Sequence, residues 1–236
     1  MSKPVGFDQK ILLHQLDYTA NEARRTERKD MYPLLEEYLL KDIKGAASRR
    51  CAKAILMKIW YLVDDEHQNL RQRALELFPD ASEIERIVFH YSMTILAYPF
   101  FKDLVQEMGK LFKLQDEVTS QQINRMMKNL YGDRRRVEVA TSAVLMSLKA
   151  WGIITPGKSN HTYKIKEKHS VQSSNLKEWL AEAVIRCSEG TSLTLDVLNS
   201  HPIFFPFDYK VSSADLNNDN FEVNRQGIDM IMVEVV

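Results

Sequence analysis

Three consecutive arginines, Arg134, Arg135 and Arg136, stand where the sequence predicts the start of a helix. An arginine can donate two parallel hydrogen bonds to a phosphate, or to the O6 and N7 edge of a guanine. Each exposed cation at a helix N-terminus also opposes the helix macrodipole, by about 0.3–1 kcal/mol. A polyanion would relieve that repulsion, and so would an acidic surface of the same protein. The arginines therefore favour either a nucleic-acid contact or an ordinary solvated helix end.

Charge is distributed unevenly along the chain. The 236 residues carry 32 Lys and Arg against 32 Asp and Glu, so the formal net charge is zero. Residues 100–170 hold 13 basic and 7 acidic residues, a net of +6, and residues 171–236 hold 4 basic and 10 acidic residues, a net of −6. Because the basic excess is confined to the segment with the arginines, the sequence predicts a polyanionic partner for that segment alone.

Two short helices and a hairpin are predicted around the arginines. Thr119 and Gln122 form a capping box, which starts the first helix, and Gly132 ends it. The residues predicted to be buried on this helix are Ile123, Met126, Met127 and Leu130. Asp133 is predicted to cap the second helix. The second helix is predicted to bury Val137, Ala140, Thr141, Val144, Leu148 and Trp151, and to expose Arg135, Val139, Ser142, Met146 and Lys149.

A hairpin is predicted directly after the second helix. Gly152 ends the helix, and Ile153–Ile154 can pair with Thr162–Ile165 across a Pro-Gly and Ser-Asn loop. Two helices with a short turn and a hairpin resemble a winged helix-turn-helix module. The resemblance covers residues 117–166, and also helix 99–113 if that helix is the first of the module.

The resemblance implies that the second helix enters the DNA major groove and that the hairpin, the wing, lies along the backbone. It places Arg135, Val139 and Ser142 against base edges and makes Arg134 and Arg136 phosphate clamps. The wing tip would contact phosphates through Lys158, Ser159, Asn160 and His161. The supporting cations would be Lys149, Lys164, Lys166 and Lys168.

The remaining sequence predicts a mainly α protein with a small α+β C-terminal segment. Helices are predicted at 7–16, 31–40 with Pro33 at or near its first turn, 46–63, 66–77, 81–97 and 174–188, with an exposed helix or connector at 18–30. Short strands or irregular segments are predicted in TSLTLDVL, IFFPFDYKVS and FEVNRQGIDMIMVEVV. This gives a helical bundle over 1–98, a winged helix over 99–170 and an acidic segment over 171–236. Arg49, Arg50 and Lys53 on helix 46–63 are candidates for a second basic stripe.

The sequence of the C-terminal strands predicts that they are buried rather than exposed to solvent. The run from Phe221 to Val236 ends in apolar residues with few charges, and an exposed strand edge of that kind would promote aggregation. We expect the acidic segment to fold against the basic one, or its strands to meet a protein partner or a second copy.

Enzymatic chemistry is not predicted. The sequence has no phosphate-binding glycine motif, no GxSxG and no metal-ligand spacing, so no cofactor or metal is expected. Asp64–His67 indicates a charged junction between helices, and His90 a core histidine. The two cysteines, Cys51 and Cys187, fit no CxxC pattern, and the N-terminus has no apolar signal-type run, so we expect reduced thiols in a cytoplasmic protein without a membrane span.

The sequence thus predicts a non-catalytic protein that binds double-stranded DNA, as a regulator or as a subunit of a prokaryotic assembly. The order of helical bundle, winged helix and extra C-terminal piece is similar to small accessory proteins of bacterial phage-defence operons of the BREX type, which implies a role in transcription regulation or antiviral defence. The alternative is an adaptor whose winged helix docks on a partner ATPase or SMC-like complex.

Overall fold

Helices dominate the chain in the computed structural model, which describes residues 3–188, 190–216, 219–226 and 230–236. The α-helices within the described residues are Leu13–Glu22 (α1), Arg28–Leu39 (α2), Ala46–Trp60 (α3), Gln68–Leu77 (α4), Glu83–Ala97 (α5), Pro99–Phe112 (α6), Ser120–Tyr131 (α7), Arg135–Ala150 (α8), Ser174–Arg186 (α9) and Leu195–Asn199 (α10). The strands are Val118–Thr119 (β1), Ile154–Pro156 (β2), Thr162–Ile165 (β3), His169–Ser170 (β4), Ser192–Thr194 (β5), Phe207–Asp208 (β6), Phe221–Gln226 (β7) and Met230–Val235 (β8). The protein is mainly α with a small α+β C-terminal part, as the sequence predicts.

The helix predicted at 7–16 is wrong, because residues 3–12 form an N-terminal segment without helix and α1 begins only at Leu13. Phe7 is buried with φ of 64°, a left-handed conformation that interrupts a helix. Its ring packs on Tyr98 and Phe101 at centroid distances of 5.5 and 5.2 Å. Burial of this ring therefore outweighs the local helical pattern.

Helices α1 to α5 pack around a core that includes Trp60 and His90. Trp60 lies at the end of α3, and the imidazole of His90 packs edge-on against it with 5.5 Å between ring centroids. His90 is fully buried, and its Nε2 lies 3.0 Å from Asp17 Oδ1 on α1. Burial lowers the pKa of His90 more than Asp17 raises it. His90 is thus a core residue, as predicted.

Helix α9 is attached to the bundle by a buried carboxylate. The Glu182 side chain is 2% exposed and pairs with Arg73 on α4 and with Arg186 one turn along α9. Trp179 on the same helix donates its indole N–H to the carbonyl of Leu70 at 3.0 Å. These contacts join the C-terminal part to α4.

The region around the arginines has the predicted order of elements. α6 is followed by β1, α7, α8, β2 and β3, and the three strands form one antiparallel sheet in the order β1-β3-β2. β2 and β3 form a hairpin in which Ile154 faces Ile165 across the strands, while Val118 of β1 faces Tyr163. The capping box of Thr119 and Gln122 is present.

The C-terminal strands pair largely with one another. β8 lies in the centre of a sheet of order β5-β8-β7, so Met232 and Val233 are paired on both sides, whereas Met230 and Ile231 pair with β7 alone. Val233 is fully buried and Met230 is 49% exposed. Residues 227–229, which lie between β7 and β8 in the sequence, are outside the described residues. TSLTLDVL is only partly strand, because α10 begins at Leu195. IFFPFDYKVS begins within a short 3₁₀ turn (Pro202–Phe204) and then contains β6, which pairs in parallel with β4.

The acidic C-terminal part packs on α5 and α6. Gly109 of α6 lies against the backbone of Pro202, Tyr91 of α5 donates its hydroxyl to the carbonyl of Ile203 at 2.8 Å, and Lys113 bonds the carbonyl of Ser200. Of the two predicted outcomes for this segment, docking on the rest of the chain is therefore observed, and it is made through α4, α5 and α6. The division into three domains stays a prediction. No helix in the described ranges is long and apolar enough to cross a membrane.

Candidate nucleic-acid interface

Arg134 holds the start of α8 in place. It is the N-cap residue, and its Nη2 donates to the carbonyls of Lys3 at 3.0 Å and Tyr131 at 2.8 Å. Gly132 makes the turn before it, with φ of 87° and ψ of 156°, which only glycine adopts readily. The predicted phosphate clamp is thus engaged with the N-terminal segment and the end of α7, which gives it a structural role.

Arg136, the last of the three arginines, also contacts the N-terminal segment. Its Nη2 lies 3.3 Å from Asp8 Oδ2, and the arginine side chain remains 63% exposed. Further along, Ser147 accepts a hydrogen bond from the Ile11 N–H at 2.9 Å, and Trp151 donates to the Ile11 carbonyl at 2.9 Å. The N-terminal segment therefore runs alongside α8 and neutralises part of the charge of Arg136.

Arg135 faces solvent. It is exposed and makes no ion pair or hydrogen bond through its side chain within the described residues. The exposed residues on this side of α8, which we call the α8 stripe, are Arg135, Val139, Ser142, Met146 and Lys149. Their steps of four and three keep them on one side of the helix over about 21 Å. The predicted outward face is confirmed as exposed.

The acidic residues beside the α8 stripe are paired with a lysine. Lys128 of α7 lies 2.9 Å from Asp133 and 2.5 Å from Glu138, and the hydrogen bond to Glu138, followed by that to Asp133, raises its pKa. The prediction that Asp133 caps α8 is wrong, because Arg134 occupies the N-cap position and α8 has no side-chain cap. Leu130 was predicted to be buried but is 39% exposed.

The loop of the hairpin is held by hydrogen bonds to Glu117. Both oxygens of this carboxylate accept from the backbone N–H of Lys158 at 3.1 Å, and the Gly157 N–H donates to the Thr162 carbonyl at 2.9 Å. A Cβ at Gly157 would lie 2.5 Å from Thr162 Oγ1 and 2.6 Å from Glu117 Oε2, so a larger residue would displace the side chains that hold the loop. His161 adopts φ of 61° at the loop end. The loop is thus a fixed structure that displays the exposed side chains of Lys158, Ser159, Asn160 and His161.

Lysines extend from the loop to the far end of the hairpin. Lys158, Lys164, Lys166 and Lys168 are exposed, and none of them makes an ion pair in the part of the chain that the structure describes. A Cβ at Gly152 would lie 3.8 Å from Lys166 Nζ, which places this ammonium at the C-terminal end of α8, near Lys149. With Arg135, these lysines are candidates for a basic surface along α8 and the hairpin, and Lys168 also lines a cavity against α6 and β6.

The second predicted basic stripe is mostly neutralised. Arg49 Nε donates to Glu36 at 2.7 Å, and Lys53 donates to the other oxygen of the same carboxylate at 2.8 Å. The hydrogen bonds from these two cations lower the pKa of Glu36, with that from Lys53 the larger. Of these three candidates, Arg50 alone is exposed and makes no ion pair within the described residues. Arg49 and Lys53 therefore join α2 to α3.

Three residues that contribute to this surface or shape it were not predicted. Arg125 is exposed on α7 without an ion pair among the described residues, and its position three residues before Lys128 was the only signal that could have indicated it. Asp8 and Glu117 shape the surface by neutralising Arg136 and fixing the loop. Both act over long sequence separations, which a local pattern does not show.

A cavity of about 240 Å³ lies between α6, β6 and the 3₁₀ turn at Pro202. Its polar lining includes Lys113, Lys168, His201 and Asp208. Burial, with the nearby Lys113 and two further lysines, lowers the pKa of His201 to about 4. No group of histidine, cysteine or acidic side chains suited to a metal ion occurs among the described residues.

Comparison of the chain with protein-family models, with curated proteins and with solved structures finds no significant match.

Proposed function

We propose that the chain binds double-stranded DNA, without catalysis, through the α8 stripe and the lysines of the hairpin. One observation carries this proposal. The cations of this surface form no ion pair among the described residues, whereas the nearby acids Asp133, Glu138 and Glu117 are engaged. One exposed acid, Glu167, stands between Lys166 and Lys168. Uncompensated cations over a rigid surface are what phosphate binding requires, because release of counterions from the duplex supplies most of the affinity.

We propose further that residues 99–170 form a winged helix-turn-helix. The order of α6, β1, α7, α8, β2 and β3, with β3 in the centre of the sheet, supports this assignment. In such a module α8 would enter the major groove, which is about 12 Å wide and admits one helix, and the hairpin would follow the backbone. The exposure of the α8 stripe fits that arrangement.

The three arginines would then act differently. Arg135 would meet a base edge or phosphate directly, while Arg134 would hold the N-terminal segment against α8. Arg136 would be partly neutralised by Asp8. Arg49 and Lys53 are not part of the proposed surface, because Glu36 already binds both.

The test is duplex binding at two salt concentrations, measured by fluorescence anisotropy with a labelled duplex. The exposed cations of α7, α8 and the hairpin region that have no ion pair among the described residues are Arg125, Arg135, Lys149, Lys158, Lys164, Lys166 and Lys168. The slope of log K against log salt should therefore reach at most about −6. Affinity should therefore fall steeply between about 50 and about 200 mM salt.

A matched pair of charge reversals locates the site. Arg135→Glu should weaken binding at low salt by at least about tenfold. Arg24→Glu makes the same charge change at another exposed arginine and should leave binding nearly unaltered. Absence of duplex binding at low salt, or equal losses in the two variants, would refute the proposal.

A second function is favoured by the apolar members of the α8 stripe. Val139 and Met146 are 44% and 46% exposed, and a protein partner would bury them. In this case the module would be an adaptor that docks on a partner ATPase or SMC-like complex. The absence of salt-dependent duplex binding, together with intact folding, would favour this function. The order of the three parts supports a place in a prokaryotic regulatory or antiviral-defence assembly in either case.

A further inference from the structure

The two apolar residues of the α8 stripe differ in their distance from Arg135. Val139 follows Arg135 by four residues, which is about 6 Å along the helix axis, whereas Met146 follows it by eleven residues, about 16 Å. Base pairs in B-DNA are stacked about 3.4 Å apart. If Arg135 reads a guanine, Val139 therefore faces the next one or two base pairs, and Met146 lies much further along the groove.

The side chain of Val139 can offer only apolar contact. It is 44% exposed, so part of the residue is accessible on the surface of α8, and Ser142 with its hydroxyl group follows three residues later. In the major groove, the apolar feature that a base presents is the C5-methyl group of a pyrimidine. Thymine carries this group, and 5-methylcytosine carries the same group in the same place.

We infer that Val139 reads a C5-methyl group of a pyrimidine, one or two base pairs from the position that Arg135 contacts. This inference rests on the proposed DNA binding and names a chemical feature of the preferred duplex. The arrangement combines one guanidinium, one apolar surface and one hydroxyl within two turns of α8. It predicts a preference for duplexes with a guanine near a methylated pyrimidine.

The test uses three random-sequence duplex pools that differ only in where methyl groups occur. One pool is synthesised with thymine, one with uracil in place of thymine, and one with uracil and 5-methylcytosine. Removing a methyl group that Val139 covers should weaken binding about three- to fivefold, since one buried CH₂ is worth about 0.8 kcal/mol. We expect the thymine pool to bind more tightly than the uracil pool.

The third pool identifies the source of the methyl group. Binding equal to that of the thymine pool would mean that Val139 accepts any C5-methyl pyrimidine, and binding as weak as that of the uracil pool would assign thymine alone. Both results support the inference. Equal affinity for all three pools would overturn it while leaving DNA binding intact, whereas no binding to any pool would refute the proposed function itself.

Two variants show whether the discrimination belongs to Val139. Val139→Ala should bind the thymine and uracil pools equally, because its single methyl group no longer reaches the base. Leu130→Ala removes another exposed apolar side chain, on α7, and should keep the full difference between the pools. Discrimination that persists in Val139→Ala would overturn the assignment, because it would then reflect the altered DNA alone.

Discussion

Replacing Gly109 by alanine tests how the C-terminal part is attached. Gly109 lies within α6, where glycine costs up to about 1 kcal/mol relative to alanine. Helix propensity alone therefore predicts that Gly109→Ala stabilises the protein by that amount. The environment of this residue predicts the opposite sign.

A Cβ on Gly109 would lie 1.9 Å from the carbonyl oxygen of Pro202 and 2.6 Å from its carbonyl carbon. Both atoms belong to the backbone, so no side-chain rotation relieves the contact, and the Pro202–Phe204 turn must move away from α6 by about 1 Å or more. That movement disturbs the 2.8 Å hydrogen bond from Tyr91 to Ile203 and the burial of Ile203. Overpacking of this kind costs about 1–3 kcal/mol, occasionally more.

Because a backbone contact belongs to the upper end of that range, we expect a net destabilisation of about 2 kcal/mol after the gain in helix propensity. Urea unfolding followed by circular dichroism measures the change as a lower midpoint. The melting temperature should fall by about 4–8 °C for a chain of this length.

Two further variants make the result specific. Gly45→Ala changes an exposed N-cap glycine, whose Cβ would have only Ser48 Oγ within 4 Å, at 3.9 Å. Because alanine is a poorer N-cap than glycine, this change should destabilise the protein by about 0.5–1 kcal/mol, less than Gly109→Ala. Tyr91→Phe removes one hydrogen bond from the same interface and should destabilise by about 1 kcal/mol or more. A midpoint for Gly109→Ala equal to or above that of the parent protein would show that the Pro202 contact does not restrain α6.

Three other outcomes follow from single contacts. Asp8→Asn should strengthen duplex binding about three- to tenfold at low salt and steepen the salt slope by about 0.9, because it releases Arg136, and unchanged binding in anisotropy would contradict this. In a thiol titration of the folded protein, the exposed Cys51 should react quickly and the partly exposed Cys187 much more slowly, since burial raises the pKa of the Cys187 thiol to about 12. Two equally fast thiols would count against this. The pKa of His201 is about 4 in the folded protein and about 6.5 in the unfolded chain, so between these pH values only the unfolded chain binds the proton. The free energy of unfolding should therefore decrease as pH falls from about 6.5 to about 4, by up to about 3 kcal/mol. His201→Asn should flatten that part of the pH profile, and an identical profile would remove His201 as its cause.

Helix boundaries were predicted well where local signals agreed. Ser82 and Glu85 form a capping box, and α5 begins at Glu83 as that motif indicates. Gly152, with φ of 73°, follows the end of α8. In these places the residues that start or end a helix act on their own backbone, so the sequence alone contains the relevant information.

Local patterns failed where a distant contact decides the conformation. The apolar spacing of 7–16 suits a helix, but Phe7, buried against Tyr98 and Phe101, adopts a left-handed conformation, and the helix begins only at Leu13. In the C-terminal part, Leu195 begins α10 after the Thr194 side chain caps it, although the residues around it favour strand. For Phe7 the deciding contacts are with residues about 90 positions away in the sequence. For α10 the cap at Thr194 competes with the strand propensity of its neighbours, and the sequence alone does not show which is stronger.

At the candidate site, local sequence predicts some features of the three adjacent arginines, and distant contacts decide the others. Neighbouring residues of a helix point about 100° apart, so the sequence could predict that Arg135 faces outward while its neighbours do not. It could not predict what those neighbours meet, because Lys3 and Asp8 belong to a segment more than 120 residues earlier. The unfavourable position of three cations at a helix start is therefore relieved in two different ways, by backbone carbonyls at Arg134 and by a carboxylate at Arg136. Only Arg135 keeps its full charge exposed, which is why the choice between a DNA contact and a solvated helix end depends on this one residue.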